Sequence, residues 1–159
     1  MSNTHPVAAI LMGSESDREV MNEAVKMFDE FAVPCEVKVL SAHRTPDRVR
    51  RFVRAAPGRG VKVLIAGAGK AAHLAGAVAA NTTLPVIGVP LDDGLGGLDA
   101  LLSTVQMPRG VPVATVAIGR TGAVNAALLA IQILALSDAN LAAALARYRL
   151  QMARGGKTR

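Results

Sequence analysis

Tryptophan is absent from this 159-residue chain, tyrosine occurs once and phenylalanine three times. So few rings leave little on which to stack nucleobases, which counts against a single-stranded nucleic-acid surface. Cysteine is almost absent as well. Cys35 alone cannot form an intrachain disulfide, which agrees with a reducing compartment. It falls in a predicted apolar strand, where a thiol serves as core filler rather than nucleophile. Hydrophobic residues make up 51% of the chain, yet no apolar run is long enough to span a bilayer. The N-terminal residues lack the basic region and apolar stretch of a signal peptide. The expectation is a cytoplasmic protein without a membrane partner. Acidic residues are missing after Asp138, and this absence accounts for most of the net charge of +6. Arg147, Arg149, Arg154, Lys157 and Arg159 supply five of the 18 basic residues, leaving 13 against all 12 acids in the first 146 residues. The excess is a terminal feature and not a basic face, so no nucleic-acid partner is expected.

What the chain does contain is an alternation of short β-branched runs with longer amphipathic segments. Strands are predicted over residues 7–12, 35–40, 61–66, 85–89 and 113–118. Helices are predicted over 18–31, 46–56, 71–80, 98–106 and 122–136, with a last one from Asp138 or Asn140 towards residue 154. The strands are apolar throughout, as in a parallel sheet covered on both faces. The reading is an α/β fold, a flavodoxin-like three-layer sandwich with a mostly parallel five-stranded sheet and an extra C-terminal helix. No linker or repeat divides it, so residues 1–159 read as one domain, with residues 1–6 and 155–159 as flexible termini. Residues 123–136 are apolar nearly all round, and Leu141, Leu145, Tyr148 and Met152 form a further apolar stripe. A helix of that kind needs cover on most sides. The expectation is a homo-oligomer with helices packed across subunits; the alternative is a central helix buried within one subunit.

Four segments carry chemistry. Gly13-Ser14-Glu15-Ser16-Asp17 lies between a strand and a helix, where backbone N–H groups and serine hydroxyls favour an anion. Asp17 suits ribose hydroxyls better than a phosphate, so the loop suggests a ribose phosphate; it also reads as an ordinary N-cap. Ser41-Ala42-His43-Arg44-Thr45-Pro46 follows the second strand and sets an imidazole beside a guanidinium. His43 is a proton-transfer candidate or a hydrogen-bonded structural histidine, and Arg44 is an anion ligand or a surface charge on a basic helix. In Gly67-Ala68-Gly69-Lys70-Ala71-Ala72-His73-Leu74 the glycines let the backbone approach a ligand, and His73 falls in the first turns of a helix as ligand or packing group. The spacing matches neither a dinucleotide fingerprint nor a P-loop. A glycine-rich loop before Leu98 could cover a site, and Asp99 reads as a helix N-terminal charge. No cluster has metal-site spacing. The loops after the first three strands can converge at one sheet edge.

Gly-Ser-Glu-Ser-Asp, Ser-Ala-His-Arg-Thr-Pro, Ala-Gly-Ala-Gly-Lys-Ala-Ala-His-Leu and Leu-Leu-Ser-Thr-Val-Gln-Met-Pro together closely resemble the N5-carboxyaminoimidazole ribonucleotide mutase family of purine biosynthesis. The resemblance runs over residues 7–136, in the family's order and spacing. It implies an isomerase of the flavodoxin-like fold that moves a carboxylate from an exocyclic nitrogen to ring carbon 4, by enclosed decarboxylation and recarboxylation. It also implies a homo-octamer with no cofactor and no metal. Carried onto this chain, His43 would be the general acid/base, Arg44 would hold the phosphate and Asp17 the ribose. Ser14 and Ser16 would bind nucleotide, and Ser41 would line the ring site. Gly67, Ala68, Gly69, His73 and Leu74 would shape the pocket for the carboxylate. Three residues depart from the family pattern: Lys70 for glycine, Ala75 for proline and Arg18 for tryptophan, with Lys70 either facing solvent, the preferred reading, or contacting the migrating carboxylate. Two other readings stay open at this point: a flavodoxin-like flavin carrier, and a paralogue that binds nucleotide without turnover.

Overall fold

β1 (Ala8–Met12) is apolar at every position and buried at every position. It can be so because it lies inside the sheet, between β2 (Cys35–Val39) and β3 (Val63–Gly69), with Ile10 opposite Val37 and Ile65. β4 (Val86–Leu91) and the short β5 (Ala114–Thr115) complete a five-stranded sheet of order β2-β1-β3-β4-β5. Every pairing is parallel. The computed structural model describes residues 5–155. Of the termini expected to be flexible, residues 1–4 and 156–159 lie outside the described ones.

Side chains alternate across each strand, and so do the two cores. Ala8, Ile10 and Met12 face one apolar layer, which includes Met21, Phe28, Ile131 and Tyr148. Ala9 and Leu11 face the other, with Val49, Val53, Leu74 and Val78. The first layer is covered by α1 (Arg18–Glu30), α5 (Gly119–Ala135) and α6 (Ala139–Ala153). The second is covered by α2 (Pro46–Ala55) and α3 (Leu74–Ala79). α4 (Leu98–Val105) packs beside β4. Local chemistry sets the helix ends. Pro46 opens α2, and the Asp138 carboxylate accepts the Asn140 and Leu141 N–H groups at 3.0 and 3.1 Å to start α6.

Three differences from the sequence reading have physical causes. The glycine segment after residue 66 is not a loop: β3 continues to Gly69, with Gly67, Ala68 and Gly69 paired to Val89, Pro90 and Leu91. β4 therefore runs two residues further than expected, and α3 starts only at Leu74 because Lys70 and Ala72 turn the chain with φ of 53° and 39°. β5 is cut to two residues, since the chain at Ala117 folds back onto the first turn of α5; a Cβ at Gly122 would lie 1.6 Å from the Ala117 carbonyl oxygen.

The third difference concerns α5. It lies against β3, β4, α1 and α6, burying Ala123, Ala126, Ala127, Ala130, Ile131 and Leu134 within the chain. Leu141 and Tyr148 of α6 are likewise buried, and the Tyr148 ring meets that of Phe31 at 5.4 Å. One side of this helix is thus covered within its own chain, while Val124, Leu128, Leu129 and Ile133 are only half-buried and Leu136 at its end is exposed. Exposed large apolar side chains lie on and before α4, at Leu95, Leu98, Leu102 and Val105, and also at Leu136 after α5 and at Leu150 and Met152 of α6. Among the described residues, no helix is long and apolar enough to cross a membrane.

Candidate active site

A parallel sheet delivers every strand end, and the loop after it, to the same edge. At that edge the loops following β1, β2, β3 and β4 enclose a cavity of about 540 Å³. Its first wall is the turn of 3-10 helix Glu15–Asp17. Ser14 and Asp17 cap this turn reciprocally: Ser14 Oγ accepts the Ser16 N–H at 3.4 Å, and Asp17 Oδ2 accepts the Ser14 N–H at 2.9 Å. The capping reading and the ligand reading of this loop therefore describe one structure, with the capping residues exposed to the cavity.

The second wall follows β2. The Arg44 N–H donates to Ser41 Oγ at 3.1 Å, and Thr45 Oγ1 donates to the Ser41 carbonyl at 3.0 Å, which rigidifies the turn into α2. Arg44 Nη2 reaches back to the Gly13 carbonyl at 3.0 Å and ties the first wall to the second. One guanidinium donor is used in this tie, and the rest of the fork remains for an anion.

The third wall brings an unexpected pairing. His43 Nε2 lies 2.6 Å from His73 Nδ1, with the rings edge to face at 4.8 Å between centroids. A hydrogen bond between two ring nitrogens needs a proton on one and a lone pair on the other, so the tautomers of the two rings are tied to each other. His73 does not lie in a helical turn as expected. It is the residue before α3, held there by the left-handed turn of Lys70 and Ala72.

Of the residues singled out from the sequence, His43, Ser14, Ser16, Asp17, Ser41, Arg44, Ala68, Gly69, His73 and Leu74 all line the cavity. Gly67 does not. It is buried, and a Cβ there would lie 2.3 Å from Met21 Sδ, so its bare Cα makes room for α1 and not for a ligand. Asp99 also lies outside, in the first turn of α4. Arg18 pairs with Glu15 on the surface, and Ala75 is buried beneath the sheet beside Gly88. The sequence reading missed Asp93, which enters the cavity from the loop after β4. Its only signal was a carboxylate in the glycine-rich loop already marked as a possible cover. Cys35 plays no part: burial, and then the charge of Asp29, push its thiol up to about 11, so it stays protonated. Among the described residues, no group of three or more His, Cys, Asp or Glu side chains is placed to hold a metal ion.

Residues 7–155 match the family described as AIR carboxylase. The chain belongs to that family. It is 58% identical over 145 residues to the N5-carboxyaminoimidazole ribonucleotide mutase of Bacillus subtilis, covering 91% of this chain and 90% of that protein. The mutase of Pyrococcus abyssi is 54% identical over 150 residues, or 94% of this chain and 85% of the other. The Schizosaccharomyces pombe phosphoribosylaminoimidazole carboxylase is 55% identical over 144 residues, which make up 90% of this chain but 26% of that longer protein. Among solved structures, Treponema denticola PurE superposes with a TM-score of 0.86 at 29% identity, covering 94% of this chain and 93% of its own.

In this member of the AIR carboxylase family, Asp17 carries a cost. Burial raises its carboxyl above the ordinary range, the Ser14 N–H opposes that shift, and the charge of Asp93 adds to it. A raised folded value means that the native state holds the proton more tightly than the unfolded chain does. The stabilisation is complete below the unfolded value and is lost as pH rises through the folded one. At neutral pH the half-buried carboxylate therefore works against the fold. Asp17→Asn, which still offers an oxygen to the Ser14 N–H, is expected to melt higher than the parent at neutral pH while binding nucleotide less well. The gain in melting temperature should vanish as pH falls through the carboxylate range. A variant that melts lower at neutral pH would show that the Asp17 charge supports the fold.

Proposed function

We propose that this chain is an N5-carboxyaminoimidazole ribonucleotide mutase, an isomerase that forms 4-carboxyaminoimidazole ribonucleotide. The observation that carries this reading is the His43–His73 pair lining one cavity with the Arg44 guanidinium, Ser14 and Asp17. Relatives named for this reaction match at 58% and 54% identity over most of their own length, whereas the relative named as a carboxylase matches over 26% of its length, which supports the mutase reading.

The residues suit the chemistry. Arg44 takes the phosphate, Ser14 and Ser16 lie beside the nucleotide, and Asp17 accepts from the ribose hydroxyls. Ser41 lies along the ring, and Ala68, Gly69, His73 and Leu74 bound the space for the carboxylate. The substrate is a carbamate, whose N–C bond breaks to give CO2 and an exocyclic amine. That step consumes one proton at nitrogen. The electron-rich carbon 4 then forms a C–C bond to the held CO2 and releases one proton. The two transfers cancel, so His43, hydrogen-bonded to His73, ends the cycle as it began. Holding CO2 against carbon 4 makes the recombination effectively unimolecular. No step calls for a cofactor or a metal.

The same reading carries a cytoplasmic homo-octamer. The exposed Leu95, Leu98, Leu102 and Val105 supply an apolar surface for self-association. Against a flavin carrier stands the lining of the cavity, whose only rings among the described residues are the two imidazoles. Incubation with N5-carboxyaminoimidazole ribonucleotide in labelled bicarbonate tests the proposal. The expected result is full conversion with the substrate's own carboxylate retained. Label entering the product at every turnover would assign direct carboxylation, and no product at all would leave a nucleotide-binding paralogue.

A further inference from the structure

Two carboxylates share the cavity, Asp17 from the wall after β1 and Asp93 from the loop after β4. For a site that takes an anionic nucleotide this is an adverse field, because like charges in a partly enclosed space repel. The chain places a cation against one of them. Lys70 Nζ lies 2.9 Å from Asp93 Oδ2. Both partners are held from the backbone. Lys70 sits in the left-handed region at φ 53°, a conformation that disfavours a side chain, and it lies at the turn leading to His73. Asp93 packs on the bare Cα of Gly69, where a Cβ would come within 2.8 Å of the Asp93 Cβ. The Lys70 side chain is 69% exposed and lines the cavity, with its ammonium engaged by Asp93.

We propose that Lys70 is a positioning residue for the mutase reaction: it holds Asp93 at the cavity rim and offsets that carboxylate's charge, and so sets how tightly the site takes an anionic nucleotide. The inference rests on the mutase reading above. An ion pair this exposed contributes little to folding. Its consequence is in the field across the cavity, where the charge on Asp93 already bears on Asp17.

The test is steady-state kinetics on the full chain at low and high salt. Lys70→Gln is expected to raise KM for the carboxyamino nucleotide about three- to tenfold, with kcat changed by less than about twofold. The rise should shrink at high salt. Lys70→Arg, which keeps the charge, should keep KM close to that of the parent. Asp93→Asn added to Lys70→Gln should return KM towards the parent value, since the uncompensated charge is then gone. A merely structural lysine would not give this reversal. An unchanged KM in Lys70→Gln, or a raised KM that persists in the double variant, overturns the inference while leaving the mutase reading intact. A parent protein without turnover overturns both.

Discussion

His43→Asn is expected to lower mutase turnover by about 10²–10⁴-fold, the usual contribution of a positioned general acid/base, while nucleotide affinity stays close to that of the parent. The reaction asks for one proton delivered to nitrogen and one removed from carbon 4. Imidazole does both near neutral pH, and a carboxamide does neither. Asparagine can still offer a polar atom to His73, so the wall between the loops after β2 and β3 is kept, and the phosphate and ribose contacts at Arg44 and Asp17 are untouched. The His43 ring is exposed at the cavity and makes a polar contact with His73 alone among the described residues, so its loss should cost little stability. Calorimetry with aminoimidazole ribonucleotide and turnover of the carboxylated substrate separate the two effects. Near-parent turnover in His43→Asn would remove the imidazole from the mechanism, and loss of binding with loss of turnover would make it a nucleotide ligand instead.

The pairing that gives His43 its partner was not legible in the sequence, although both histidines were. Local pattern fixes what a residue is and which element it follows. It placed Ser14, Asp17, Ser41, His43 and Arg44 in loops after the first and second strands, and parallel topology then gathers such loops at one edge. It does not say which atoms meet across 30 residues of chain, as His43 and His73 do. The glycine segment misled for a related reason. Glycines after an apolar run read as a loop, but here β4 offers a partner for three more residues. Gly67 and Gly69 are small because Met21 and Asp93 press against them, one from the core and one from the rim. Asp93 was hidden in the same way, since nothing near it in sequence shows that its loop bends over Gly69. The apolar helix α5 was recognised as needing cover. Whether that cover comes from its own chain depends on how α1 and α6 stack on it, which no single helical pattern contains.

Arg44→Ala is expected to weaken the binding of aminoimidazole ribonucleotide by about 10- to 100-fold, the loss of a charge-assisted hydrogen bond of about 1.5–3 kcal/mol. The magnitude follows from how the side chain is held. Ser41 Oγ fixes its backbone N–H and the Gly13 carbonyl fixes one end of its guanidinium, so the fork is already ordered before an anion arrives. Little side-chain entropy is then lost on binding. Arg44→Lys should recover only part of the affinity, because an ammonium keeps the charge but cannot both hold the Gly13 carbonyl and present a planar pair of donors to phosphate. The same tie gives an internal control. If Arg44 acted only by joining the two loops, its removal would lower the melting temperature and weaken every ligand alike, including the free nucleoside that has no phosphate. If it grips the phosphate, the nucleoside should bind Arg44→Ala and the parent equally, and only the nucleotide should tell them apart. Equal nucleotide affinity in the two proteins would place the phosphate elsewhere and return Arg44 to the surface charge of a basic helix.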